Sequence, residues 1–126
     1  TTMATKFYKC NHCGNVIEKI IDSKVPVFCC GEKMEELVPN TVEASGEKHI
    51  PVVTHLQDNI LKIEVGSVHH PMLPEHHIAF IYVETEHGGI RIDLKDQPVA
   101  VVHLGEEKAV AVYEYCNLHG LWKVEL

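Results

Sequence analysis

The chain has 126 residues, 45% of them hydrophobic and 23% charged, with a formal net charge of −7. The hydrophobic share supports a packed core, yet no apolar run approaches the roughly 20 residues a helix needs to cross a bilayer. With no basic stripe and only 6% aromatic residues, the composition argues against a nucleic-acid partner. The charge is unevenly placed. Residues 1–38 hold five Lys against five acids, whereas the remainder holds six Lys or Arg against thirteen acids and carries the whole −7. An acidic body repels small anions at long range, so any anionic substrate must be drawn in by a local cation.

The opening residues, Thr1-Thr2-Met3-Ala4-Thr5-Lys6, lead into Phe7-Tyr8-Lys9-Cys10 without an apolar h-region, so no secretory signal is expected. Four of the five cysteines lie before residue 39 and nine of the ten histidines after it. This shift predicts a small domain over 1–38 and a larger one over 39–126, with Pro39 opening a short linker. Beyond the boundary the chain reads as strands. Gln57-Asp58-Asn59 is a turn signal, and 60–65 carries its charges at alternate positions, as a half-buried strand should. The run 78–83 is nearly all apolar, and Gly88-Gly89 is expected to turn it into a second strand over 90–94. Further β-branched or aromatic runs cover 99–104, 109–115 and 121–126. No segment of ten or more residues has a helical period. About seven short strands predict an all-β, antiparallel sandwich.

Two constellations carry chemistry. Cys10-x-x-Cys13 with the adjacent pair Cys29-Cys30 supplies four thiolates, a better match to a metal site than to redox disulfides. Neighbouring side chains diverge, so the pair should strain a tetrahedron, and spacing does not separate zinc from iron. The second constellation is His49, His70, His76, Cys116 and His119. His70 precedes Pro71 and His76 follows Pro74, which places both on a rigid non-strand segment, and Cys116-x-x-His119 sits on a turn between two predicted strands. Four imidazoles and one thiolate exceed a closed tetrahedral site and suit a five-coordinate iron with one open position. Iron(II) there would carry +1, against −2 with four thiolates, so only the histidine-rich site attracts an anion. His12, His55, His69, His77, His87 and His103 are given no role, and Trp122 reads more readily as a core residue than as a cover for the site. Reduced thiolates fit a cytoplasmic setting.

These motifs together resemble desulfoferrodoxin, the two-domain form of superoxide reductase. Tyr8-Lys9-Cys10-Asn11-His12-Cys13-Gly14 with Cys29-Cys30 is similar to the family's desulforedoxin-type domain. Glu47-Lys48-His49-Ile50-Pro51, His70-Pro71-Met72 with His76, and Cys116-Asn117-Leu118-His119-Gly120 resemble its catalytic motifs, in the family's order. The resemblance implies an immunoglobulin-like sandwich carrying a square-pyramidal iron, with the four histidines equatorial and the Cys116 sulfur axial. A second iron would sit in the four-cysteine domain. It further implies one-electron reduction of superoxide to hydrogen peroxide, a rubredoxin-like electron donor and a homodimer. Lys48 would steer the anion, and Glu47 would be the carboxylate able to reach the sixth position once iron is oxidised. A blue-copper-type carrier also uses Cys-x-x-His on a sandwich turn, but no methionine follows His119 and four histidines exceed its needs. The same residues are also compatible with a structural zinc protein or with superoxide dismutation.

Overall fold

The computed structural model describes residues 5–41 and 46–126, the side chains of 46 and 47 excepted. The chain divides into two compact units, Thr1–Val38 and Pro39–Leu126.

In the first unit, strand β1 (Phe7–Lys9) lies between β2 (Val16–Glu18) and β5 (Glu35–Leu37), antiparallel to both. A separate hairpin pairs β3 (Phe28–Cys29) with β4 (Glu32–Lys33). Among the described residues, its buried hydrophobic side chains are only Phe7, Cys10 and Met34. So few make a thin core for 38 residues, and units of this size usually rely on a metal, disulfides or oligomerisation to fold. Asp22 adds a polar knot: Lys19 approaches it to 3.0 Å and Lys6 to 3.4 Å.

The second unit is a two-sheet sandwich. A four-residue helix, α1 (Gly46–His49), precedes β6 (Pro51–Leu56), and a 3-10 turn over Gln57–Asn59 leads into β7 (Ile60–Val65). Then follow β8 (Ile78–Thr85), β9 (Gly88–Asp93), β10 (Val99–His103), β11 (Ala109–Cys116) and β12 (Gly120–Glu125). One sheet has the order β10-β7-β6 and the other β12-β11-β8-β9, antiparallel throughout. The seven-strand, all-β sandwich is therefore as expected. Leu61, Ile63 and Val65 alternate inward from β7 and meet Ile78, Ile81, Val83, Val112 and Cys116. Asp58 and Asn59 take left-handed backbone (φ 60 and 56) at the expected turn, and the Asn59 amide donates to the carbonyls of Gly105 (2.9 Å) and Glu107 (2.8 Å).

Two expectations need correction. The β8–β9 turn is Glu86-His87, because Thr85 pairs with Gly88 and both glycines belong to β9. Gly89 serves packing: a Cβ there would run into the Tyr82 ring that lies across it. Strand β6 also went unpredicted, since its outward positions hold Thr54 and exposed apolar residues instead of a clean alternation. It is an edge strand, where a leading Pro51 costs no ladder bond.

Candidate metal centres

The four-cysteine cluster is built by two tight turns. Gly14, with φ 82, donates its N–H to the Cys10 carbonyl (3.0 Å), and Cys10 in turn donates to the Asn15 carbonyl (2.9 Å). The knuckle brings Cys13 beside Cys10, whose sulfur accepts the Cys13 N–H at 3.5 Å. The β3–β4 hairpin accommodates the adjacent pair. Cys30 (φ 53) and Gly31 (φ 75) both adopt left-handed backbone in its two-residue loop, the signature of a type I′ turn. The reversal swings Cys30 back until its sulfur lies 4.0 Å from that of Cys29, which is 3.6 Å from Cys13. The expected divergence of neighbours is thus removed by backbone conformation. All four sulfurs lie within 4.8 Å of one another. Backbone N–H groups of Cys13 and His12 pull the Cys10 thiol down to about 6, while hydrogen bonding among the crowded thiols pushes Cys30 up to about 12.

The second centre gathers residues from four places in the sandwich. His49 ends α1, His70 and His76 lie on the β7–β8 connection, Cys116 closes β11, and His119 stands just before β12. The register Cys116↔Gly120 leaves a three-residue loop, closed by Gly120 at φ 80. The four imidazoles form a closed cycle of edge contacts, His49–His70–His76–His119, with ring centroids 4.6 to 5.1 Å apart. His49 Nε2 is 3.1 Å from both His70 Nε2 and His119 Nδ1. The Cys116 sulfur is 3.4 Å from His70 Nε2 and 3.8 Å from His119 Nδ1. The five donor atoms, each within 4.8 Å of the others, include every residue expected of this site.

Protonation is set by the surroundings. His70 Nδ1 lies 2.8 Å from the Pro71 carbonyl, which only accepts, so Nδ1 holds the proton and Nε2 turns its lone pair inward. Burial lowers His70 to about 4 and also lowers His76, leaving neutral imidazoles. His76 Nε2 is buried without a hydrogen-bond partner. Burial likewise raises the Cys116 thiol, against which the backbone N–H groups of His119 and Leu118 hydrogen-bond the sulfur and favour the thiolate. One cation would satisfy the orphaned nitrogen, the converging lone pairs and the buried sulfur together. The donor set therefore fits a soft-to-borderline metal such as iron, as does the four-sulfur cluster.

Three neighbours went unrecognised or lie elsewhere. Trp122 is no plain core residue: it stacks on His49 (4.9 Å, 22° between planes) and its indole N–H donates to the His119 carbonyl at 3.1 Å. Glu114, two residues before Cys116 on β11, is fully buried, and neither carboxylate oxygen has a partner. Burial pushes it up to about 9. Only its place in an otherwise apolar strand could have signalled it. Lys48 is exposed beside His49, and its charge reaches His76; the Glu47 side chain lies outside the described residues. The remaining described histidines join neither donor group.

Residues 41–125 match the Desulfoferrodoxin family model. A desulfoferrodoxin of Syntrophotalea carbinolica is 42% identical over 120 residues, covering 94% of each chain, and one of Nitratidesulfovibrio vulgaris is 40% identical over 122 residues, covering 95% of each. The crystal structure of the superoxide reductase from Treponema pallidum superposes with a TM-score of 0.81 at 32% identity, spanning 98% of this chain and all of that one. Both donor sets and the match over nearly the full length agree: the chain belongs to the desulfoferrodoxin family.

Proposed function

We propose that this chain is a superoxide reductase, converting superoxide, one electron and two protons into hydrogen peroxide at the four-histidine, one-cysteine centre. The convergence of four imidazole nitrogens and one buried sulfur carries this reading. Iron(II) held by His49, His70, His76, Cys116 and His119 would supply the electron and a net +1 charge to attract an anion. The residues set the conditions. An imidazole that ligates a metal adds no charge, so one thiolate would leave a ferrous site cationic within an acidic body. The sulfur of Cys116, held by backbone N–H groups, donates electron density from one side. His70 is fixed in its tautomer by Pro71, and His49 is clamped between Trp122 and its neighbours. Lys48 draws superoxide across the outer surface, and water supplies the protons. Glu47, by family resemblance, would be the carboxylate that ligates iron in the oxidised protein.

The rest of the reading concerns partners. A small rubredoxin-like carrier returns the electron. The four-cysteine centre is saturated by its ligands, so its part is electron storage and the bracing of its unit. A homodimer is supported by exposed apolar side chains in the first unit, with Ile20 79% and Ile21 81% accessible. Five cysteines without a disulfide among them fit the reducing cytoplasm.

Rapid mixing of ferrous protein with superoxide tests the activity. The expected result is one peroxide per oxidised histidine-site iron without oxygen release. Oxygen evolved alongside peroxide would establish dismutation and overturn the proposal.

A further inference from the structure

Asn117 stands between Cys116 and His119 in sequence, but its hydrogen bonds run to another ligand-bearing segment. Its Oδ1 accepts the His77 N–H at 2.8 Å, and its Nδ2 donates to the Glu75 carbonyl at 3.0 Å. Its own backbone N–H donates to the His77 carbonyl at 3.2 Å. These three bonds bracket His76, which lies far back along the chain. An asparagine serving only its own turn would bond to backbone two residues on; this one reaches across the fold.

The segment around His76 otherwise bonds largely to itself. Leu73 and His76 exchange a backbone pair at 2.9 and 3.0 Å, and His77 Nδ1 lies 3.0 Å from the Leu73 carbonyl. His76 also differs from the other three histidines. The His49 donor nitrogen lies 3.1 Å from those of His70 and His119, whereas His76 Nε2 has no hydrogen-bond partner. Three imidazoles and a thiolate would remain a complete tetrahedral set if His76 moved away, and such a set suits zinc. Zinc also outcompetes iron(II) at a given nitrogen–sulfur site. Preference for iron therefore depends on keeping the fifth donor in place.

We propose that Asn117 is the positioning residue that holds His76 in the ligand set, and thereby makes this a five-donor iron site instead of a four-donor zinc site. This rests on the five-donor nature of the proposed superoxide-reducing centre, and the test separates the two. Cobalt(II) is loaded into wild type, Asn117→Ala, His76→Ala and the double variant, and visible d–d absorption is recorded. Four-coordinate cobalt absorbs several-fold more strongly than five-coordinate. Asn117→Ala is expected to acquire the intense spectrum of His76→Ala, with the double variant no different from His76→Ala alone. Iron(II) retention against a chelator should fall about 10–100-fold, the usual effect of losing a group that orients a ligand, while zinc retention changes by less. Asn117→Asp keeps the acceptor for the His77 N–H and loses the donor to Glu75; it should fall between wild type and Asn117→Ala, and it answers the question if Asn117→Ala does not fold. A wild-type cobalt spectrum with unchanged iron retention in either Asn117 variant would overturn the proposal alone. A wild-type spectrum already matching His76→Ala would overturn the five-donor centre and the proposal together.

Discussion

Single side chains divide here into those that make the centre and those that serve it. Lys48 serves by charge. In a body carrying −7, one exposed ammonium next to a ligand sets the local field met by an incoming anion. Lys48→Ile should slow superoxide capture roughly tenfold at low salt and flatten its ionic-strength dependence, as read by pulse-generated superoxide; an unchanged rate constant would remove Lys48 from capture. Glu114 is the opposite case, a group that costs stability. A fully buried carboxyl with neither oxygen satisfied forgoes about 1–3 kcal/mol relative to a packed apolar side chain. Glu114→Met should raise the thermal midpoint of the second unit. A lowered midpoint would mean that the carboxyl has a structural partner.

Turns, connecting loops and the ends of strands and of α1 place the donors in the structure. The Cys-x-x-Cys knuckle, the type I′ loop and the three-residue β11–β12 loop each depend on left-handed backbone, at Gly14, Cys30 with Gly31, and Gly120. Gly31 has nothing within 4 Å of a built Cβ, so its requirement is conformational and not steric. Gly31→Val should therefore open the hairpin and release metal from the four-cysteine centre. Metal analysis is expected to show loss of one iron per chain while the visible band of the histidine site persists. Retention of both irons would show that the cluster tolerates another turn. At Gly89 the demand is reversed: an extended backbone is open to any residue, but the Tyr82 ring occupies the space of a side chain.

The whole molecule separates two jobs into two units of very different construction. The second buries an apolar core between two sheets, a close-packed frame on which hydrogen bonds can orient the ligands. The first has three buried hydrophobic side chains among the described residues and needs its metal to hold a fold. Removing that metal should thus unravel one unit and spare the other. Cys13→Ser is expected to lose the four-cysteine iron and broaden amide signals of residues 5–38 in NMR spectra, yet leave the rate of superoxide capture within a factor of about two, since the two donor sets share no residue and independent sites act additively. A large fall in that rate would mean that the two centres are coupled in turnover.

Ligand identities were legible because metal chemistry restricts them to a few residue types, and spacing such as Cys-x-x-Cys or Cys-x-x-His brings two donors into reach over one turn. The strand over 60–65 was legible for a similar reason, as burial on one face imposes a period of two, while the run over 99–104, a strand over Val99–His103 in the structure, was legible from its β-branched residues. What stayed hidden depends on contacts between segments far apart in the chain. The Glu86-His87 turn was masked by the Gly88-Gly89 pair, of which Gly89 makes room for the Tyr82 ring, the place of Trp122 on His49 depends on how β12 meets the end of α1, and the orphaned Glu114 is visible only once its neighbours close over it. Residue types and spacing were enough to tell which atoms can bind metal and that turns and loops between strands would carry several of them. How those atoms converge, and which neighbours hold them, came from the folded chain, because orientation depends on packing and hydrogen bonds across the fold and no local pattern encodes it.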